Sequence, residues 1–191
     1  MKCASFFAGV GGIDLGFHQA GFETVYANEV DKFAVETLKQ NFNFLIDHRG
    51  ICDVKADEIP DFDIMLAGFP CQAFSVAGYR QGFDDEKGRG NLFFELERIF
   101  AIKKPPVIFL ENVKNLVGHD KGNTFKVILE TLKKYGYFVK YQVLNACEYG
   151  DIPQNRERIY VVCFLDKKAY DNFEFPKPIP RQKTIADMLE N

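Results

Sequence analysis

KCASFFAGVGGIDLGFH, residues 2–18, opens as a short apolar run, breaks at a glycine-rich turn, and resumes at Ile13-Asp14-Leu15-Gly16-Phe17-His18 in the pattern of a helix start. Strand, loop, helix is the unit of a wound parallel sheet, and the chain repeats it. Residues 24–27, Thr-Val-Tyr-Ala, read as a second strand, and Asp31 is placed to cap a helix carrying Phe33, Ala34, Val35 and Leu38. Further strands fit residues 62–66 and 107–110, with helical patterns over 92–101 and 124–135. Near-continuous apolar strands alternating with helices predict an α/β fold, a mostly parallel sheet with helices on both faces. The runs 138–144 and 159–165, separated by the turn-rich Glu148-Tyr149-Gly150-Asp151-Ile152-Pro153, complete that sheet. Residues 175–180 hold three prolines and read as a linker, and residues 184–190 as a short helix.

With 191 residues, 47% of them hydrophobic and twenty of them Phe, the chain has material for one domain with a sizeable core. No apolar run reaches bilayer length and no signal-peptide pattern opens the chain, so the expectation is a soluble, cytoplasmic protein without a membrane partner. The five cysteines are spread out and never form a Cys-x-x-Cys pair, so neither a disulfide framework nor a metal site is indicated. Net charge is -3 and unevenly divided: residues 1–100 carry 9 Lys/Arg against 16 Asp/Glu, residues 101–191 carry 15 against 11. A chain that held nucleic acid on its own would be expected to show a stronger basic surface, because phosphate neutralisation supplies most non-specific affinity.

The loop Phe7-Ala8-Gly9-Val10-Gly11-Gly12 sits between strand and helix, where glycines let a backbone approach a ligand. The Gly-x-Gly-x-x-Gly fingerprint fails, since its third glycine would fall at Asp14, and a nicotinamide cofactor fits poorly. Glu29, ending the second strand, is placed for ribose hydroxyls, and Asp53 for an adenine amino group; a tight turn with surface carboxylates accounts for the loop equally well. Cys71 follows a strand and a proline in Gly68-Phe69-Pro70-Cys71-Gln72 and opens a polar, glycine-containing stretch, residues 72–90, that reads as a lid. Ligands bind outside the carboxyl ends of parallel strands, which sets this thiol apart from Cys3, Cys147 and Cys163, assigned to packing. Glu111-Asn112-Val113 ends the strand before it at the same edge, as a proton donor or acceptor or as a helix-capping pair. Arg156 and Arg158, two apart, face one side of the pleat, where surface ion pairing is the simpler reading.

Taken together, Phe7 to Gly12, Asn28-Glu29, Gly68-Phe69-Pro70-Cys71-Gln72, Glu111-Asn112-Val113 and Gln154-Asn155-Arg156-Glu157-Arg158 resemble, in order and spacing, the DNA cytosine carbon-5 methyltransferases, most of all the bacterial restriction-modification type. The resemblance runs from the first strand to about Pro176. It implies a Rossmann-like S-adenosylmethionine-dependent methyltransferase fold, and methyl transfer to carbon 5 of cytosine in double-stranded DNA with S-adenosylhomocysteine as product and no metal. Cys71 would be the nucleophile, with Glu111, Arg156 and Arg158 on the flipped base. Phe7, Ala8, Gly9, Val10, Gly11, Gly12, Glu29, Val30, Asp53, Val54, Gly68, Pro70 and Leu92 would hold the cofactor, and Gln72, Ser75, Arg80, Gln81, Arg89 and Asn112 would touch DNA.

The family's pattern continues past these motifs into a target-recognition region, a further arginine-containing motif and an Asn-Ser segment, none of which is found here. The expectation is a catalytic and cofactor-binding domain over residues 1–176 and, over 177–191, a linker entering the missing target-recognition region. A second subunit or a lost domain would then carry sequence choice. Val30 stands where an aromatic residue often stacks on adenine, and Cys52 where a glycine often precedes the aspartate. A tRNA cytosine-5 methyltransferase and a non-catalytic subunit are the rival functions.

Overall fold

The computed structural model describes residues 1–70 and 92–189. Strand β1 (Lys2–Phe6) leads to helix α1 (Gly12–Gln19), β2 (Glu23–Asn28) to α2 (Lys32–Asn41), and a three-residue β3 (Leu45–Asp47) to two single 3-10 turns before β4 (Ile64–Ala67). Helix α3 (Leu92–Lys103), β5 (Val107–Val113), α4 (Asn123–Lys134), β6 (Phe138–Asn145), the one-turn α5 (Ala146–Tyr149), β7 (Glu157–Phe164) and α6 (Lys167–Asn172) follow. The strands form one sheet in the order β3-β2-β1-β4-β5-β7-β6. The pairs from β3 through β5 are parallel, and β7 inserts antiparallel between β5 and β6.

Period-two alternation sorts the strand residues onto two covered faces. Ala4, Phe6, Met65, Ala67, Ile108, Leu110, Ile159, Val161 and Cys163 pack with Phe93, Leu96, Ile99 and Phe100 of α3 and with Phe125, Ile128 and Leu132 of α4. On the reverse face Cys3, Ile64 and Leu66 meet Ile13 and Phe17 of α1 together with Val107 and Phe109. Helices therefore cover both faces, and Cys3 and Cys163 are buried packing residues. No helix among the described residues is long and apolar enough to cross a membrane.

Local signals explain most element ends. The Asp31 carboxylate accepts the Ala34 amide at 2.8 Å and starts α2. Asp166 does the same for Lys168 and Ala169 at the start of α6, a helix the sequence pattern does not announce. Strand β1 stops at Phe6 because Phe7 adopts a positive φ of 54°. Strand β5 runs on to Val113, beyond the expected residue 110, because β7 pairs with it along its whole length. The helix expected over 184–190 is instead a single 3-10 turn, Ala186–Met188, with Asp187 Oδ2 accepting both the Thr184 amide and hydroxyl at 2.8 Å. Ile185 and Leu189 are 67% and 70% exposed there, and a helix that short needs a packed face to persist.

The glycine loop is fixed by its neighbours. Gly11 has φ +87°, and a Cβ on it would sit 2.4 Å from Phe42 Cε2 and 2.9 Å from Leu38 Cδ2. A Cβ on Gly12 would have none of the described residues beyond its chain neighbours within 4 Å. Gly11→Ala should therefore lower unfolding free energy by about 3 kcal/mol, from left-handed strain plus overpacking. Gly12→Ala should stay within about 0.5 kcal/mol of the parent. Urea unfolding of the two variants side by side checks this.

Candidate active site

The connections from β1 run outward through β2 to β3, while β4 leads the other way to β5, so the sheet's topology reverses between β1 and β4. That crevice at the carboxyl ends is where an open α/β sheet accepts ligands. The glycine loop after β1 and the Gly68-Phe69-Pro70 turn after β4 meet there. A Cβ on Gly68 would lie 3.5 Å from Glu111 Oε2 and Ile13 Cδ1 and 3.9 Å from the Phe7 carbonyl oxygen.

The loop is held from β2. Ala8 donates its amide to the Asn28 carbonyl at 3.2 Å, and Gly9 to Glu29 Oε2 at 2.7 Å, while Glu29 Oε1 accepts the Asp31 amide at 2.8 Å. Glu29 thus already braces the loop, and its remaining lone pairs are what it has for a ligand. Among the described residues, chain neighbours aside, no heavy atom lies within 4 Å of a Cβ built on Gly9, which leaves room beside that carboxylate. Beneath it Asp14, fully buried, accepts Ser5 Oγ at 2.9 Å and Thr24 Oγ1 at 3.0 Å, joining α1 to β1 and β2. Burial pushes its carboxyl upward against the pull of those two hydroxyls. Asp14 is the residue that breaks the dinucleotide fingerprint, and its task is structural.

Past β3, Asn28 Nδ2 donates to the carbonyls of Asp47 at 3.1 Å and Arg49 at 2.9 Å, tying that connection to the end of β2. Tyr26 donates its hydroxyl to Asp47, whose carboxyl falls to about 2 chiefly through Arg49. The chain then turns at Ile51–Asp53. Asp53 is exposed on this turn and Val30 stands exposed after β2. Val54, expected at the cofactor, is 1% exposed: its side chain belongs to the core and can offer a ligand only backbone. Leu92 is half-buried and packs against the same core from the start of α3.

Glu111 and Asn112 are neighbours that the pleat sends to opposite faces. Glu111 turns toward Arg158 of β7, whose Nε lies 3.0 Å from Oε1, each side chain about one-fifth exposed. Burial raises the Glu111 carboxyl above its ordinary range, and Arg158 and then Arg156 oppose the rise without cancelling it. Asn112, expected among the DNA contacts, is 4% exposed, donates to the Phe69 carbonyl at 2.8 Å and accepts the Val113 amide at 2.8 Å. Its role is corrected accordingly: it faces the core and holds the turn that runs into Pro70.

Arg156 is exposed just before β7, its backbone clamped by Asn145 Oδ1, which accepts its amide at 3.0 Å, and by the Ala146 amide on its carbonyl at 3.1 Å. Asn145 Nδ2 also donates to Asn155 at 2.6 Å. The sequence gives no role to Asn145, and none to the side chains of Asp14 and Asn28; the available signals were a polar residue ending an apolar strand at Asn28 and Asn145, and an acid in the first turn of a helix at Asp14. Together at the crevice are Phe7 to Gly12, Glu29, Gly68, Pro70, Glu111 and Arg158. Cys71, Gln72, Ser75, Arg80, Gln81 and Arg89, with the expected lid, lie outside the described residues.

The family described as C-5 cytosine-specific DNA methylase matches residues 1–191. The chain is 60% identical over 190 residues to Type II methyltransferase M.Bsp6I of Bacillus sp. (strain RFL6), covering 99% of this chain and 60% of that protein. It is 46% identical over 189 residues to Type II methyltransferase M.HhaI of Haemophilus parahaemolyticus, covering 99% and 57%. The chain thus spans somewhat more than half the length of these curated relatives. A solved structure of a Spodoptera frugiperda DNMT2 mutant superposes with a TM-score of 0.82 at 23% identity, over 100% of this chain and 60% of that one, a likeness of fold.

The raised Glu111 carboxyl has a sign that can be measured. It binds its proton more tightly folded than unfolded, so its contribution to stability is complete below the ordinary carboxyl range and is lost as pH rises through the folded value. Glu111→Gln should flatten that part of the stability-pH curve from urea midpoints. Arg158→Gln, removing the opposing charge, should move the Glu111 carboxyl titration higher still in carbon-13 NMR; a lower or unmoved titration contradicts the assignment.

Proposed function

The chain belongs to the C-5 cytosine-specific DNA methylase family, and from that we propose that it transfers a methyl group from S-adenosylmethionine to carbon 5 of cytosine in double-stranded DNA, within a restriction-modification system. The observation that carries the reading is the meeting of Glu111, Arg158 and Gly68 at the crevice, with Gly68 three residues before Cys71 in the sequence. The residues fit the cofactor: the room at Gly9, the Glu29 carboxylate beside it, and the exposed Asp53 beyond β3. Glu29 is assigned to the ribose, Asp53 to the adenine amino group, and Phe7 to Gly12, Val30, Gly68, Pro70 and Leu92 to the surrounding wall. S-adenosylmethionine supplies an electrophilic methyl on a sulfonium sulfur.

Carbon 5 of cytosine is a weak nucleophile while the ring is aromatic. The Cys71 thiolate adds to carbon 6, and the displaced π electrons make carbon 5 an enamine carbon. A free thiol ionises near pH 8.5, so the site must favour its thiolate. Glu111 donates a proton toward ring nitrogen 3 and so offsets the charge that addition places on the ring, a task that suits a carboxyl held above its ordinary range. Arg158, with Arg156, is assigned to the cytosine carbonyl and the backbone. Once carbon 5 is methylated, a base removes its proton and the thiolate leaves. The reacting carbons lie within the stack, so the base must be flipped out. Gln72, Ser75, Arg80, Gln81 and Arg89 are assigned to DNA, and double-stranded DNA is the proposed partner. We place the catalytic unit at residues 1–176, with residues 177–191 leading toward the region that selects the target.

Labelled methyl transfer from S-adenosylmethionine to duplex DNA and to tRNA, compared for the parent and Cys71→Ser, tests the reading. DNA should be labelled, slowly for this chain alone, with the serine variant at background. A duplex carrying 5-fluorocytosine should trap a covalent adduct at Cys71, because fluorine cannot be eliminated. Label on tRNA alone, or full activity in Cys71→Ser, refutes it.

A further inference from the structure

Arg98, on α3, reaches into a connection more than forty residues earlier in the chain. Its Nη2 donates to the carbonyls of Ile51 at 3.1 Å and Val54 at 2.8 Å, and its Nε to Glu95 Oε2 at 2.9 Å. Ile51 and Val54 bracket Cys52-Asp53. The turn's own bonds run from the Asp53 amide to the Gly50 carbonyl at 2.9 Å and from the Val54 amide to the Ile51 carbonyl at 3.2 Å. One charged nitrogen therefore closes the turn from outside at both ends, with hydrogen bonds stronger than those between neutral groups. The side chains of Ile51 and Val54 are buried, so the turn is anchored below and the Asp53 residue is raised outward. The Asp53 carboxylate turns back over the start of the turn, where a Cβ on Gly50 would lie 3.4 Å from Asp53 Oδ2, an ordinary contact. The ion pair with Glu95 is partly solvated and adds little stability of its own, but it fixes the plane of the guanidinium so that Nη2 faces the two carbonyls.

We propose that Arg98 is a positioning residue for base recognition: by clamping the carbonyls on either side of Cys52-Asp53 it sets the Asp53 carboxylate to accept the adenine amino group and reject a ring with an oxygen in that place. This rests on the cofactor reading above. An ionised carboxylate only accepts hydrogen bonds, so it attracts an amino group at ring carbon 6 and repels a carbonyl there. Such discrimination depends on where the carboxylate stands, and a turn free to shift its carbonyls loses it before it loses the fold.

The test is the ratio of affinities, by calorimetry, for S-adenosylhomocysteine and for its deaminated analogue carrying hypoxanthine. The parent chain should prefer the adenine ligand by about tenfold, the scale of one charge-assisted hydrogen bond. Arg98→Ala should bring the ratio close to one. Asp53→Ala should do the same, and the double variant should lose no more than either single one. Arg98→Lys, which can reach the carbonyls without the planar fork, should give an intermediate ratio and carries the test if the alanine variant does not fold. Glu95→Gln, leaving both carbonyl bonds possible, should keep most of the preference. If the parent discriminates and both Arg98 variants discriminate equally well, the inference is overturned while the cofactor reading stands. If the parent binds neither ligand, the cofactor reading fails and takes this inference with it.

Discussion

A sheet whose connections reverse direction between β1 and β4 opens a crevice at the carboxyl ends of those two strands, because their crossovers lead away to opposite sides. Every other feature of the site is arranged around that crevice. The loop after β1 must turn sharply at its rim, which Phe7 and Gly11 do with positive φ and which Glu29 stabilises by accepting the Gly9 amide. The turn after β4 must bring Gly68 to the same place, where an added Cβ would stand in contact with Glu111 and Ile13 at 3.5 Å. Asp14 keeps α1 tied to both strands beneath, so the rim is built on a rigid base.

The second constraint is the antiparallel insertion of β7 beside β5. A parallel neighbour would have brought its own carboxyl end to this edge. The antiparallel one brings its amino-terminal end, with Arg158 opposite Val113 and therefore diagonal to Glu111. Alternation does the rest. Glu111, Arg158 and Tyr160 share the face that carries α1, and Asn112 falls on the face of α3, where it holds Phe69. Two consecutive residues thus serve the site from opposite sides, one by chemistry proposed for its carboxyl and one by fixing the preceding turn.

How far the sequence could be read follows from the range of the forces involved. The Asp31 cap, the alternation of strands and helices, and the glycine loop are local and were legible. Glu111 at a strand end was legible as a place, because it follows an apolar run. The inward turn of Asn112 was not, since nothing in Glu111-Asn112-Val113 says which of two polar neighbours faces the core; the pairing of β5 with β7 decides that. Strand β3 is three residues long at the sheet's edge, with too little alternation to detect. Arg98 looks like an ordinary i,i+3 partner of Glu95, and only the folded chain places Ile51 and Val54 beside it. The run 184–190 has helical spacing but no surface to pack on, and it forms a single turn.

The pairing of Glu111 with Arg158 also bears on how the proposed reaction is timed. An ionised Glu111 holds the Arg158 guanidinium at 3.0 Å and occupies it. Burial works against that ionised form, and it outweighs the pull of both arginines, so the carboxyl stands nearer to protonation than an exposed one. When Glu111 takes up a proton the Coulombic part of the pair is lost, and two donors become available at once: the carboxyl proton for ring nitrogen 3 and the guanidinium for the cytosine carbonyl. A polar base entering the crevice would exclude water and push Glu111 further in the same direction. On the proposed reading, the ion pair is the resting arrangement, and binding of the base exchanges it for contacts to the ring.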